Sequence, residues 1–413
     1  MINNYLLKTL HHEKASFYQD KLLYISALFA PLIAPLFFFC PTIVLRNIFY
    51  ISIPFMVALI LKNKSELKEL LLENKSICRI VLIFLAYMTF SVLWSETNEE
   101  GRIFEKGKLF LFLGISTLST FLIAYKKPDF IKNIKKTYIF GAISSSIILI
   151  INYIYMNGFA VTPIRLEGMG RAENPVQASL VYSLAVIAIL LGSSSEKYSR
   201  NKEYIIKIAM TLPPLIVILL TQSRGPFLGL ILTLLCLYLT NAKQKIKKLI
   251  YIIIGLALLS IPTYITLKDT PVLERHTTGR FEIWHSAMQQ ISERPIFGNG
   301  LASNPHYTYT KPNGVVSPAS HIHSLYLSTL YQGGIVGLLL LLSIYFLILK
   351  EHWVRRQYNS SETKWILGWI LMGAAFGIAD FGGIMINLST EWLVFWWPIS
   401  LTLGYYTRSR MKL

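Results

Sequence analysis

Long apolar runs separated by short polar connections set the pattern of this chain. Runs of about 17 to 25 apolar residues are long enough, as helices, to cross roughly 30 Å of hydrocarbon. Twelve such runs are predicted, near 22–40, 43–61, 77–94, 107–125, 137–156, 175–192, 204–221, 225–240, 249–267, 324–349, 365–379 and 391–407. Lipid offers no partner to an open backbone, so runs of this length imply an all-α bundle. The chain is read as one polytopic domain, 1–413. The first run follows about twenty polar residues and lacks a small-residue cleavage pattern, so it is expected to be an uncleaved span, not a signal peptide.

Between the ninth and tenth runs lies the one long connection, 268–322. Phe281, Trp284, Met288 and Ile291 recur there at helical spacing, which predicts an amphipathic helix ended by Pro295 and Gly298-Asn299-Gly300. The following stretch, Asn304 to Ser320, is rich in proline and is expected to be irregular and mobile.

Charge orients the bundle. Lysine and arginine crowd one set of connections: Lys62 to Lys75, Lys126 to Lys136, Lys197 to Lys202, Lys243 to Lys248, Arg355-Arg356 and the tail Arg408 to Lys412. The alternate set opens with acidic Glu96 and Glu99-Glu100. The positive-inside rule puts the first set and both termini in the cytoplasm, and the long loop outside, in the periplasm of a bacterium. Neither ATP nor a nucleotide sugar is available there.

Composition agrees. The chain is 53% hydrophobic and 15% charged, against about a quarter charged in soluble domains, and its net charge is +18. That excess reads as cytoplasmic lysine and arginine meeting anionic lipid; no extramembrane stretch is long enough to fold as a nucleic-acid reader. Cys40, Cys78 and Cys236 sit at or in apolar runs and read as small core residues, not as a disulfide framework.

The candidate chemistry gathers on the outer face. Five of the eight histidines fall in or at the end of the long loop: His276, His285, His306, His321 and His323. Arg224, in Gln222-Ser223-Arg224-Gly225-Pro226, sits at a tight outer turn, where it either snorkels to lipid phosphate or binds another anion. Arg280 opens the loop helix, where free backbone N–H groups also favour an anion. His321 and His323, at the mouth of the tenth run, have the proton affinity for general-base work near neutrality.

A His-x-His pair can also ligate zinc. The chain has only four Asp, none clustered beside the pair and none in an Asp-x-Asp clamp, so neither metal nor cofactor is expected. Arg165 and Arg171, in an outer loop, and Asp380, after the eleventh run, are supporting candidates for lining the pocket or orienting a charged partner. Ser223 and Ser324 lie beside basic residues without a nucleophile-elbow pattern.

These residues resemble the bacterial O-antigen ligase family, part of a superfamily that includes O-antigen polymerases and O-linked oligosaccharyltransferases. His323-Ser324, nine residues, then Gly334-Ile335-Val336-Gly337 is similar to the family's pattern of His, Asn/Ser/Gln, nine residues, then Gly-x-x-Gly/Thr/Tyr. Gln222-Ser223-Arg224 resembles its arginine turn. Gly279-Arg280 followed by Arg294-Pro295-Ile296-Phe297-Gly298-Asn299-Gly300 resembles its loop signature.

The resemblance implies transfer of polysaccharide from undecaprenyl pyrophosphate onto lipid A–core at the periplasmic face of the inner membrane. Arg224 and Arg280 would hold the pyrophosphate, and His323 or His321 would activate the acceptor hydroxyl. Such an enzyme needs charge neutralisation and a base, since pyrophosphate already leaves well. A polymerase joining repeat units is the nearest alternative. A transporter should show paired halves and broken helices, which are not apparent.

Overall fold

The computed structural model describes residues 25, 29, 33–96, 100–158, 165–192, 199–239, 279–303, 307–310, 316–319, 321–354, 360–383 and 389–411. The expected ninth span, about half of the first, and Arg275, His276 and His306 lie outside the described residues.

The described chain is helical because its apolar runs are long and its breakers sit at their ends. In order the helices are α1 (Thr42–Lys62), α2 (Lys64–Glu73), α3 (Lys75–Phe90), α4 (Glu100–Lys126), α5 (Phe130–Asn157), α6 (Pro175–Leu190), α7 (Arg200–Leu220) and α8 (Arg224–Leu239). They continue with α9 (Arg280–Glu293), α10 (Leu325–Val354), α11 (Ser361–Phe376), α12 (Thr390–Val394) and α13 (Trp396–Met411). Asn174 caps α6 by accepting from Val176 N at 2.8 Å, with Pro175 where its missing N–H is harmless.

Six helices among the described residues are long and apolar enough to cross a membrane: Thr42–Lys62, Lys75–Trp94, Phe104–Lys126, Phe130–Asn157, Asn201–Leu220 and Leu325–Val354. Pro175–Leu190 and Arg224–Leu237 are shorter apolar helices. Large apolar side chains such as Ile51, Leu82, Phe140, Ile151, Ile205 and Phe346 are exposed, the reverse of a soluble protein. Together with the apolar sequence they mark a multi-pass membrane protein.

The core lies where α6, α11, α12 and α13 meet, around the buried indoles of Trp365, Trp369, Trp396 and Trp397. Two buried tyrosine hydroxyls beside it are satisfied locally. Tyr138 Oη donates to Val181 O at 2.8 Å, and Tyr182 Oη to Ser145 Oγ at 2.8 Å.

Two elements depart from expectation. Part of the Lys62–Lys75 connection is a short helix, α2, with Leu67 and Leu70 buried. The proline-rich stretch expected to be irregular contains an antiparallel hairpin, β1 (Tyr307–Thr310) paired with β2 (Val316–Ala319), in the register Tyr307↔Ala319. The Tyr-Thr-Tyr-Thr alternation puts Tyr307 into a small second core with Ile283, Ala287, Ile291, Ile322 and Tyr331. Burial of that ring, packed against Tyr331 with centroids 5.6 Å apart, outweighs the turn-forming residues around it.

Candidate functional site

Asp380 is the hub. It follows α11, and its side chain is only 9% exposed. Oδ2 accepts from Arg280 Nη2 at 2.6 Å, and Oδ1 lies 3.5 Å from His323 Nδ1. A Cβ placed on Gly225 would stand 3.4 Å from Asp380 Oδ2, so the Arg224–Gly225 turn closes the same cluster. One carboxylate thereby joins three segments far apart in sequence. Arg224 is exposed, and Arg280 and His323 are partly so, at 27% and 31%. The charges face outward from a buried base.

Each contributor is held by its neighbours. Gly279, with φ 72°, turns the chain into α9 and so sets Arg280 at the helix start. Trp284 Nε1 donates to Ile322 O at 2.9 Å, pinning α9 to the backbone between the two histidines. Leu325 N donates to Gly377 O at 2.7 Å, joining the start of α10 to the end of α11. Arg165 braces the arginine turn through Nε to Thr221 O, 2.9 Å, and Nη2 to Ser223 Oγ, 2.7 Å. That bond gives the buried Ser223 a structural partner. Gln222, inside the braced turn, has φ 52°.

Arg171 faces a different neighbourhood. Its Nη1 donates to Gln177 Oε1 at 3.1 Å and its backbone N to Phe37 O at 3.1 Å. His285 is exposed on α9.

The ring centroids of His321 and His323 are 3.9 Å apart, with planes inclined by 47°. Burial pushes the proton affinity of His321 below the ordinary histidine range, and neighbouring His323 pushes the same way; Glu391 and then Asp380 oppose them, while Arg280 adds to the lowering. Glu391, in the first turn of α12, was not singled out in the sequence. Ser389-Thr390-Glu391 there reads as an ordinary helix start, and Ser389 does accept from Trp392 N at 3.3 Å.

The two glycine motifs form one lock. Gly334 interrupts α10 with φ 60° and ψ −165°. Around that break Asn299 N donates to Tyr331 O (2.7 Å) and Gly300 N to Gln332 O (2.9 Å). In return Ile335 N donates to Pro295 O at 2.8 Å. A Cβ on Gly334 would lie 2.1 Å from Ile296 O, and one on Gly298 2.4 Å from Gly334 N. The Arg294–Leu301 segment also bonds to the residues that follow α3: Leu301 N donates to Ser91 Oγ at 2.9 Å, and Arg294 pairs with Glu96.

Comparison with known proteins gives these positions a context. A sequence model described as O-antigen ligase matches residues 209–342, a range that contains Arg224, Arg280, His321, His323 and Gly334 but neither Asp380 nor Arg165. An O-antigen ligase of Pseudomonas aeruginosa is 25% identical over 332 residues, covering 80% of this chain and 77% of that protein. The domain match, the relative aligned along most of both chains, and the apolar helices together make this chain similar to O-antigen ligases.

Proposed function

We propose that this protein transfers undecaprenyl-pyrophosphate-linked O-polysaccharide onto lipid A–core at the periplasmic face of the bacterial inner membrane. The likeness to O-antigen ligases supports a glycosyl-transferring enzyme. In this reading twelve helices span the membrane, both termini are cytoplasmic, and the 268–322 loop is periplasmic.

The observation that carries the chemistry is the shared carboxylate of Asp380, bonded to Arg280 and facing His323 beside the Arg224 turn. Arg224 and Arg280 bind the pyrophosphate and neutralise the charge that builds on it as it leaves. With Nδ1 of His323 turned toward Asp380, Nε2 is the atom that takes the acceptor proton. The acceptor oxygen bonds the anomeric carbon while the C–O bond to pyrophosphate breaks and its electron pair departs with the leaving group. Attack opposite the leaving group inverts the anomeric configuration. The arginines supply the electrostatics and the imidazole the base, so no step calls on a metal or cofactor.

The test is purified protein with lipid-linked polysaccharide and rough lipopolysaccharide, without added metal or ATP. Ligated product, lost in His323→Ala and Arg280→Ala variants that remain folded, is the expected result. Elongated glycan formed without a core acceptor would replace this reading with a polymerase, and directional export with both variants active would replace it with a transporter.

A further inference from the structure

The proposed reaction employs one imidazole, yet the structure sets two in contact. His321 and His323 have ring centroids 3.9 Å apart, and the peptide between them is fixed. Ile322 is buried at 2% exposure, and its carbonyl accepts from Trp284. His323 takes φ 56°; it and Gln222 are the non-glycine residues with positive φ among the described residues. A non-glycine residue holds such a backbone only where its surroundings over-determine it, and such positions cluster at working sites.

We propose that His321 is a positioning residue: its ring packs at a tilt against His323, fixes the plane that presents Nε2 to the acceptor hydroxyl, and leaves His323 as the single proton acceptor of the pair. The inference rests on the ligase reading above and assigns the labour between the two histidines that the sequence leaves open.

The surroundings fit this division. His323 faces the Asp380 carboxylate, which stabilises the imidazolium formed when the acceptor O–H bond breaks. His321 faces His323, Glu391 from α12, Asp380 from the end of α11 and Arg280 from α9. Burial and the second imidazole dominate that set and disfavour a proton on His321. Two imidazolium rings in contact repel, so the pair carries one proton per turnover. That proton comes from the acceptor hydroxyl, rests on His323 Nε2, and returns to solvent after the pyrophosphate has left.

Replacement variants of the purified full-length protein, with lipid-linked polysaccharide and rough lipopolysaccharide, separate the roles. His321→Phe keeps a ring of similar shape without a nitrogen; His321→Gln keeps polarity without the ring; His321→Ala keeps neither. Loss of orientation at a reacting group lowers rate by about 100-fold. The Ala and Gln variants are therefore expected to lose roughly 10- to 100-fold in kcat with donor KM little changed, and the Phe variant to recover most of that loss. The acid limb of log(kcat/KM) against pH should have a one-proton slope in both the wild type and His321→Phe.

A Phe variant as inactive as His323→Ala would overturn the proposal, because the His321 nitrogen would then handle the proton. Wild-type kcat in the Ala variant, or a two-proton slope, would overturn it as well. Wild-type ligation by His323→Ala is a separate result, ending the reading of His323 as base altogether. Thermal midpoints in detergent identify any variant that fails to fold.

Discussion

At the scale of single residues, Asp380 joins Arg280 to His323, and in the proposed reaction it thereby couples the donor side of the site to the acceptor side. Its replacement by Asn keeps the shape and removes the charge that Arg280 and His323 share. A positioned general base contributes about 10²- to 10⁴-fold, so Asp380→Asn should lower kcat/KM by roughly 100-fold or more while leaving the protein folded. Arg165 acts one step further out. Its Nε and Nη2 bonds need the planar fork of a guanidinium, so Arg165→Lys should raise donor KM by roughly 10-fold with a smaller effect on kcat. Both are read from initial rates in the ligation assay. His321 adds a pH dependence. Its proton affinity is lowered on folding, so the unfolded chain binds the extra proton first, and stability is lost as pH falls below about 6.5. His321→Phe should flatten that part of the thermal-midpoint profile. Arg224, Arg280 and the histidines stand out in the sequence because charge and imidazole are rare against an apolar background. The bracing role of Arg165 does not, since its partners lie 56 and 58 residues away.

At the scale of elements, spacing shows where motifs are but not what they do to each other. Nine residues between His323-Ser324 and Gly334 place the glycine nearly three turns into α10. The Gly333-Gly334 pair permits a break there without requiring one. The reason is non-local: the Arg294–Gly300 segment passes so close that a side chain would strike Ile296 O. Through this lock the position of α9, and hence of Arg280, depends on α10, and hence on His323. Gly334→Ala meets both the contact and the positive φ, so it should destabilise by about 2 kcal/mol or more and lower the thermal midpoint by several degrees. Activity should fall with it even though no reacting group is touched. Hairpin β1–β2 was obscured by its own composition. The prolines and glycine of the 304–320 stretch suggest irregular chain when read alone, yet Tyr307–Thr310 and Val316–Ala319 pair as antiparallel strands.

At the scale of the molecule, contacts of charged and polar side chains between segments gather at two ends of the bundle, besides those buried in the core. At one end Lys126 pairs with Glu66 at 2.5 Å, Lys135 Nζ donates to Leu191 O at 3.3 Å, and Asn74 bonds Thr407 at 2.6 Å. These contacts join the lysine-rich connections to each other and to the last helix. At the other end lie the Asp380 cluster, the arginine turn and the Glu96–Arg294 pair. The alternation of charge along the sequence anticipates this partition, because lipid forces polar segments to the ends of apolar helices. Which end faces outward is decided by charge bias alone, and labelling tests it directly. In a variant with Cys40, Cys78 and Cys236 replaced by Ser, single cysteines at exposed Lys68 and exposed Ser292 lie on helices at opposite ends. A membrane-impermeant maleimide applied from the periplasmic side should modify position 292, and reach 68 only after the inner membrane is opened. The reverse pattern would put the histidines and arginines in the cytosol, on the wrong side for a polysaccharide donor already exported, and would remove the basis for ligation whatever the geometry around Asp380.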